Sequence, residues 1–485
     1  MLACAGYLAE RVGGSDDRAE AIAVVVHGYL TRGEVDLAAE LANSLDDPFV
    51  RDRLLIAVAA KCAALDDDEY AIQLAEAVEE PGLKSQAMEA VALAKAAKGD
   101  TGNAREIAAA VFHPDNALAG IALKQAERGD EAGALDTIAE IDYAGSAAMA
   151  MQGLAAIRLK KEEHEPAAEL LETAALLVEE IEHDEEKIRS LADIGNAFVD
   201  ARRKDRAIET LDKARGFAEV LDNVHRDNLL AAISQGFMHA GSEDLADRTL
   251  DLVADKTQIA TALLGFARDY WRRDDRDEAL EALDEAYEVL RSQRDTETRD
   301  SKAKFALFGS IAAQYAGFER GERAIEIAEG IEDDDQSMAA LSQIAQIMTM
   351  QKRDEIGRQA LNAIPEDASR MLTLVGMSDV AAKNGEKEKA LSLLDEAMEV
   401  AETVPQISSR SEAYSAAALR YFDLGTSERA RSALAADLKA IAEIRGDVSR
   451  VSALARHGEL AERLGPDGGE DLQMTLRGFI QGTQV

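Results

Sequence analysis

One small residue recurs along this chain at a spacing that few folds can accommodate. Among 485 residues, an alanine, replaced once by glycine, returns in eleven steps, six of which equal 33 residues. Three other steps are six or seven residues longer, about two helical turns, so each insertion would lengthen a helix without rotating its apolar face. The repeating positions are Ala38, Ala71, Ala104, Ala134, Ala167, Ala207, Ala246, Ala279, Ala324, Gly357, Ala390 and Ala430. This period predicts a repeated unit that buries its apolar face only against copies of itself.

The stretch Thr261–Leu290 shows what is repeated. It contains two helical segments joined by a polar turn, and Ala279, Leu283 and Ala286 share one helical face. Tyr270 lies nine residues before Ala279, at what we call the aromatic position. Small residues let neighbouring helices approach closely, while Tyr270 and Leu283 fill the volume between them. The unit is therefore predicted to be a pair of packed helices.

Proline and glycine mark the predicted ends of these helices. Pro48, Pro81 and Pro114 lie 33 residues apart, where a helix would begin and a missing N–H costs nothing. Glycines also lie five residues before the repeating alanine, where a helix must end. These glycines are Gly33, Gly99, Gly129, Gly241, Gly385 and Gly425.

Composition narrows the fold class and the partners. Hydrophobic residues make up 47% of the chain but aromatic residues only 4%, which favours small alanine-rich helices over strands. The net charge of −39 opposes binding to nucleic acid or to an anionic membrane. An acidic excess of this kind is also typical of proteins from a salt-rich cytoplasm, so we expect a halophilic source.

The first residues, MLACAGYLAERVGG, do not resemble a targeting segment. They lack a basic leader, and their apolar run is too short for a signal peptide or a membrane-spanning helix. No other segment approaches 18 apolar residues, so we expect a soluble, cytoplasmic protein without membrane insertion. Cys4 and Cys62 provide no disulfide or metal-binding framework and are expected to be buried as small hydrophobic residues.

The units resemble tetratricopeptide repeats over roughly residues 16–445. One clear match consists of Leu191, Ile194, Gly195, Phe198, Ala207, Leu211 and Ala214, and another of Tyr414, Ala418, Tyr421, Ala430 and Leu434. Lys95, Gln125 and Arg158 depart from the family pattern because they stand at the aromatic position. The resemblance implies an all-α fold: a right-handed superhelical α-solenoid of about twelve antiparallel helix pairs, whose first helices line a concave groove.

The predicted domain organisation has two parts. Residues 1–445 form the repeat array, with short units in 16–145 and longer units in 146–445, and no linker divides it. Residues 446–485 form a C-terminal capping helix and tail that cover the apolar face of the last repeat. Alternatively, Leu472, Leu476, Phe479 and Ile480 in this tail dock on another molecule.

The sequence contains no motif that supports catalysis. We find no HExxH, CxxC, GxSxG, Walker-type or GxGxxG stretch, and the seven histidines are scattered singly. We therefore expect no enzymatic activity, no catalytic residue, no cofactor and no metal. Members of the resembled family are usually scaffolds that bind protein partners.

A candidate partner-binding site lies on the first helices around the single tryptophan. Arg268, Trp271 and Arg272 combine an aromatic ring with two cations, as interface anchors often do, and could hold a carboxylate-bearing partner. Polar groups of the preceding units extend the same stripe, namely Asn196, Gln235, Met238 and His239. The structural alternative is that Trp271 packs between repeats and both arginines pair with Asp274, Asp275 or Asp277.

These observations predict a non-catalytic scaffold whose groove binds a peptide or helix of a partner protein. Two alternatives remain open. The chain could be a structural protein that assembles with itself, or a helical-repeat enzyme or small-ligand sensor, which would need a closed polar pocket.

Overall fold

The described part of the chain is entirely helical in its regular structure. A computed structural model of the protein describes residues 1–293, 301–456, 460 and 477–478, and within them every regular element is a helix. A short helix, α1 (Leu2–Ala9), comes first, and α26 (Asp447–Arg456) comes last. Between them, first and second helices of successive pairs alternate.

The first helices are α2 (Ser15–Arg32), α4 (Pro48–Ala64), α6 (Pro81–Lys98), α8 (Pro114–Glu127), α10 (Ala144–Lys160), α12 (Asp184–Asp200), α14 (Arg226–His239), α16 (Lys256–Arg273), α18 (Ser301–Gly317), α20 (Asp334–Met350), α22 (Asp367–Lys383) and α24 (Ile407–Asp423). The second helices are α3 (Val35–Asn43), α5 (Asp68–Ala77), α7 (Thr101–Ala109), α9 (Glu131–Ile138), α11 (His164–Val178), α13 (Lys204–Val220), α15 (Glu243–Leu250), α17 (Arg276–Arg291), α19 (Gly321–Glu329), α21 (Asp354–Ala363), α23 (Lys387–Thr403) and α25 (Ser427–Glu443). The prediction of about twelve antiparallel helix pairs is confirmed.

The helix pairs belong to two compact units. Unit 1 combines Met1–Lys84 with Tyr315–Val485, and unit 2 is Ser85–Gln314. In both units the two helices of a pair pack against each other, as α4 does with α5 and α12 with α13, and neighbouring first helices also touch. The predicted boundary at residue 445 stays a prediction, although α25 ends at Glu443 and α26 begins at Asp447. The tail residues Leu472, Leu476, Phe479 and Ile480 lie outside the described residues.

The repeating small residue lies at the contact between helices. All eleven alanines and Gly357 are buried. A methyl group there lets the second helix lie close to its neighbours, and larger side chains such as Leu211 and Leu283 fill the space beside it. Cys4 and Cys62 are likewise buried free thiols, as expected. The spacing read from the sequence is therefore the spacing of the interhelical contacts.

The turn within each pair has one backbone conformation throughout. The residue five positions before the repeating small residue has a positive φ in all twelve pairs, from 60° at Lys352 to 94° at Gly99. Six of these residues are the predicted glycines, which adopt this region at no steric cost. The others are Asp66, Glu162, Arg202, Asp274, Glu319 and Lys352. Sequence reasoning missed these six because they are not glycine, yet their spacing from the alanine would have located them.

Aspartates near the start of a first helix hold the next pair in place. Asp115 accepts hydrogen bonds from the N–H groups of Asp142 (3.3 Å) and Tyr143 (2.8 Å), just before α10. Asp227 does the same for Ala254 (2.9 Å) and Asp255 (2.8 Å), just before α16. These N–H groups precede a helix and have no partner within it, so the carboxylates satisfy them and fix the register between repeats.

Asp52 is the buried example of this device, in unit 1. Burial by itself would raise the pKa of Asp52, but hydrogen bonds from the N–H of Glu80, from Arg51 and from the N–H of Glu79 lower it overall. The N–H groups donate over 3.1 Å and 2.9 Å, and Arg51 Nη2 lies 2.9 Å from Asp52 Oδ1. The carboxylate therefore stays ionised inside the array and ties α4 to the turn before α6.

Candidate functional site

The first helices of unit 2 expose one continuous face. On α12, α14 and α16 the side chains two residues before the aromatic position are Asn196, Gln235 and Arg268. The first two are half-buried and Arg268 is exposed. Because α12 packs on α14 and α14 on α16, these three side chains form a row across consecutive helices. We call this row, with the residues two positions after the aromatic position, the first-helix face.

Close helix approach makes the row continuous. A Cβ atom at Gly236 would lie 2.9 Å from Asn196 Oδ1, and one at Gly265 would lie 2.7 Å from Gln235 Oε1. Each amide therefore crosses onto the backbone of the next first helix, and Gln235 Nε2 comes within 3.5 Å of the Thr261 carbonyl oxygen. The two glycines are needed for this approach. Sequence reasoning did not single them out, although Gly120 and Gly153 occupy the same register as Gly265, five residues before the aromatic position.

A polar cluster joins the three helices at the end of the face. His239 Nε2 lies 3.5 Å from Asp200 Oδ1 on α12, and His239 Nδ1 lies 3.4 Å from Asp269 Oδ1 on α16. Arg272 forms an ion pair with Asp269, and its Nη2 lies 3.1 Å from His239 Nδ1. Asp269, which is only 7% exposed, was not foreseen from the sequence. Arg272 thus pairs with Asp269 and not with the aspartates that follow α16.

Arg268 differs from Arg272 in its surroundings. It projects from the row beside Gln235 and, among the residues that the structure describes, is held in no ion pair. Arg272, although solvent-accessible, already neutralises the buried Asp269 carboxylate. Arg268 is therefore the cation of this face that can pair with an incoming carboxylate at the smallest cost.

Trp271 is partly covered by its own helix pair. The ring is half-buried, and the Arg276 guanidinium on α17 lies 3.7 Å from its centroid, within range of a cation–π contact. Arg276 is in turn held by Asp274, whose Oδ1 lies 2.6 Å from Arg276 Nε. One π-face of the indole is therefore already occupied by Arg276.

Met238 does not belong to this surface. It is 0% exposed, so the sequence-based assignment to the partner-binding stripe was wrong. The residue after the aromatic position is also buried on α6 and α8, as Ala96 and Ala126, but it is half-buried on α12 and α16, as Val199 and Trp271. Met238 is an apolar side chain beside Phe237 and fills the core.

The cluster shows no arrangement typical of a metal centre. Within the described part of the chain, no group of three or more His, Cys, Asp or Glu side chains is placed to hold a metal ion. None of the described helices is both long enough and apolar enough to cross a membrane.

Burial, reinforced by the charges of Glu243 and Asp247, raises the pKa of the Tyr270 phenol to about 12. The phenol therefore stays protonated near neutral pH.

Comparison with known proteins finds matches only among solved structures. No protein-family model matches the sequence, and no curated protein matches it. Ton1535 from Thermococcus onnurineus NA1 is 17% identical, with 73% of this chain and 97% of that chain covered and a TM-score of 0.25. The TPR-like repeats of a putative kinesin light chain from Podosopora anserina are 15% identical over 55% of this chain and 100% of that chain, with a TM-score of 0.24.

A third match is the structure of Naa15/Naa10 bound to HypK-THB, at 14% identity, 95% and 89% coverage and a TM-score of 0.27. All three TM-scores lie below 0.5, so the fold of this chain is established from its own helix pairs and not from these matches. Those pairs are TPR-like helical hairpins. Their spacing, buried alanines and left-handed turns recur in both units.

Proposed function

We propose that this protein is a non-catalytic interaction scaffold that binds a peptide or helix of a partner protein on the first-helix face of unit 2. The observation that supports this proposal is the row Asn196, Gln235 and Arg268, with one polar side chain from each of three successive first helices, of which Arg268 is exposed and the two amides are half-buried. Amide side chains in such a row can bond the backbone of a peptide without reading its sequence.

The charges of this chain suggest that the proposed partner segment carries a carboxylate at one end. The chain as a whole has a net charge of −39 and repels anions, so a carboxylate would be accepted only where a local cation is available. Arg268 provides that cation, and its planar guanidinium can bond both oxygens of one carboxylate. The proposed partner segment therefore places an Asp, a Glu or a chain terminus beside Arg268 and its backbone along Gln235 and Asn196.

The apolar part of the same face extends the contact. On α8 and α10, the corresponding side chains are Leu123 and Ala156, and Met149 on α10 is exposed. An amphipathic segment whose polar end lies over α16 could bury apolar side chains there. The face thus offers complementary chemistry over about five first helices of unit 2.

A selection from a displayed peptide library against the full-length protein tests this function. We expect enriched peptides to contain an acidic residue, and Arg268→Ala to weaken their binding about tenfold, the loss of one charge-assisted contact. Gln235→Ala should weaken it by a smaller factor. Arg248→Ala is the matched control, because Arg248 is an exposed arginine on the second helix α15, 2.9 Å from Asp244.

Circular dichroism should show unchanged helix content in all three variants. The proposal fails if no peptide is enriched, or if the enriched peptides bind the Arg268→Ala protein as tightly as the Arg248→Ala protein. Binding that responds to Arg248→Ala alone would move the site to the second helices.

A further inference from the structure

The first and last helices of the described chain, α1 and α26, contact each other within unit 1. Helix α1 packs against both α2 and α26, and α26 packs against α2. Helix α26 also touches α24 and α25 of the last complete pair. The first and the last described helices therefore share an interface, although more than 430 residues separate them.

The arrangement of α1 reproduces that of an ordinary second helix. Helix α23, for example, packs against its own first helix α22 and against the next first helix α24, while α22 and α24 also touch. Helix α1 stands in the same relation to α26 and α2. It thus occupies the second-helix position of a pair whose first helix is α26, even though it comes from the other end of the sequence.

The fit between α1 and α2 is close at the atomic level. A Cβ atom at Gly28 would lie only 2.7 Å from Leu2 Cδ1, and one at Gly6 would lie 3.6 Å from Val25 Cγ1. Ala5 and Ala9 of α1 are fully buried, whereas Ala3 is exposed. The buried residues of this short helix are therefore small residues together with Leu2 and Leu8.

Apolar side chains are also buried on α26 and on α2. Val451 and Leu454 are buried, as are Ile22 and Val25 on α2. A helix of eight residues is too short to be stable by itself, so α1 acquires its structure by docking on α2 and α26. Gly13 and Gly14 lie in the connection to α2, and Gly14 has a φ of 90°, a conformation that glycine adopts at no steric cost.

We propose that α2 and α26 form a binding site for one short alanine-rich helix, which α1 fills as an exchangeable clasp between the N-terminal and C-terminal segments of unit 1. Its occupant is residues 1–13 of this sequence, bound within the same molecule. Release of α1 would uncover apolar side chains on α2 and α26, and the same segment supplied from outside would cover them again. The clasp is independent of peptide binding on unit 2.

Hydrogen–deuterium exchange of full-length variants tests the clasp. Ala5→Asp places a carboxylate in the buried face of α1 and should release it. We expect the amides of α26 to exchange at least tenfold faster than in the unchanged protein, together with those of α1, while those of α12 in unit 2 keep their rates. Ala3→Asp is the matched control, because this residue of the same helix is exposed.

A second variant releases α1 without altering its sequence. Gly28→Leu places a side chain where Leu2 packs, and should also speed exchange in α26. Its control is Gly216→Leu, since no atom lies within 4 Å of a Cβ at that helical glycine. Unchanged exchange of α26 in both Ala5→Asp and Gly28→Leu would overturn the proposal.

The decisive experiment adds the α1 segment to the protein as a separate peptide. A synthetic peptide of residues 1–13, added to the Ala5→Asp protein, should restore the protection of α26 in a saturable manner. The same peptide carrying A5D should not. If the unaltered peptide leaves α26 exchange unchanged at every concentration, the α2–α26 face does not act as a binding site for this helix, and the proposal is wrong.

Discussion

Two neighbouring parts of unit 2 fill the aromatic position in opposite ways. In α12 and α14 the position holds Phe198 and Phe237, both fully buried. In α8 it holds Gln125, which is 3% exposed and accepts a hydrogen bond from Thr137 Oγ1 of α9 over 2.7 Å. In α10 it holds Arg158, whose Nε donates to Glu131 over 3.2 Å. The helices pair in both parts, so an aromatic ring is not required to join them.

The two parts differ in whether neighbouring helices and turns supply a polar partner for the residue at the aromatic position. Arg158 also pairs with Glu163 at the start of α11, and Lys95 of α6 lies 3.0 Å from Asp100 in the turn before α7. A polar group at this position is tolerated because a partner from a turn or a second helix satisfies it. A phenylalanine needs no partner and stabilises by burial instead. The common elements of both parts are the buried alanine and the left-handed turn.

The largest loss of stability is expected in the α12–α13 pair, where Phe198 holds the aromatic position. Phe198→Ala should cost the α12–α13 pair about 3–5 kcal/mol, because it removes a fully buried ring and leaves a cavity. Native-state hydrogen exchange of the α12 amides measures this loss locally, which suits a repeat protein that need not unfold in one step. Phe217→Ala on α13, where the ring is partly exposed, is the control and should cost far less. A loss below about 1 kcal/mol for Phe198→Ala would mean that the ring contributes no more than a polar group.

The helix pairs could be predicted from the sequence because their signals are local and periodic. The 33-residue spacing located the buried alanines, and Pro48, Pro81 and Pro114 are the first residues of α4, α6 and α8. The contacts of Gln125 with Thr137 and of Asp115 with Tyr143 could not be predicted, because each joins side chains or backbone groups across different helices. For the candidate site, the spacing predicted the stripe of Asn196, Gln235 and Arg268.

Other features of the site depend on tertiary packing. Periodicity alone did not show that Met238 faces the core, since the position after the aromatic residue lies at the edge of the apolar face. The pairing of Arg272 with Asp269 depends on which neighbouring carboxylate is buried. The docking of α1 on α26 has no local signal, because an alanine-rich helix at the start of a chain is compatible with many positions.

An intermediate loss of stability is expected in the α8–α9 pair, where the polar residue Gln125 holds the aromatic position. Thr137→Val alone should cost about 1–3 kcal/mol, because it leaves the buried Gln125 Oε1 without this donor. Gln125→Leu alone should cost less, because the Thr137 hydroxyl can still donate to the Gly133 carbonyl oxygen over 2.9 Å. The double variant should lose less than the sum of the two, since the Gln125 acceptor that Thr137→Val leaves without its donor is then absent. Exchange of the α8 and α9 amides measures all three. Strict additivity would show that the 2.7 Å hydrogen bond adds nothing to the pairing of α8 with α9.

The smallest effect concerns Tyr270, which combines an aromatic ring with a polar group at the same position. Burial first, and then the negative charges of Glu243 and Asp247, raise its pKa to about 12, whereas an unfolded tyrosine titrates near 10. Below pH 10 the phenol is neutral in both states and its contribution to stability is complete. As the pH rises from about 10 to 12, the unfolded chain ionises first, so stability falls.

Trp271 is adjacent to Tyr270 and is the single tryptophan of the chain, so its fluorescence reports unfolding of α16 in urea. Between pH 9 and pH 11.5 the urea midpoint should fall further in the unchanged protein than in Tyr270→Phe, because phenylalanine has no proton to lose. The other tyrosines contribute equally to both proteins and cancel in the difference. Parallel declines would show that the phenol ionises as readily in the folded array as in the unfolded chain, and that Tyr270 serves this position only as a ring, as Phe198 and Phe237 do.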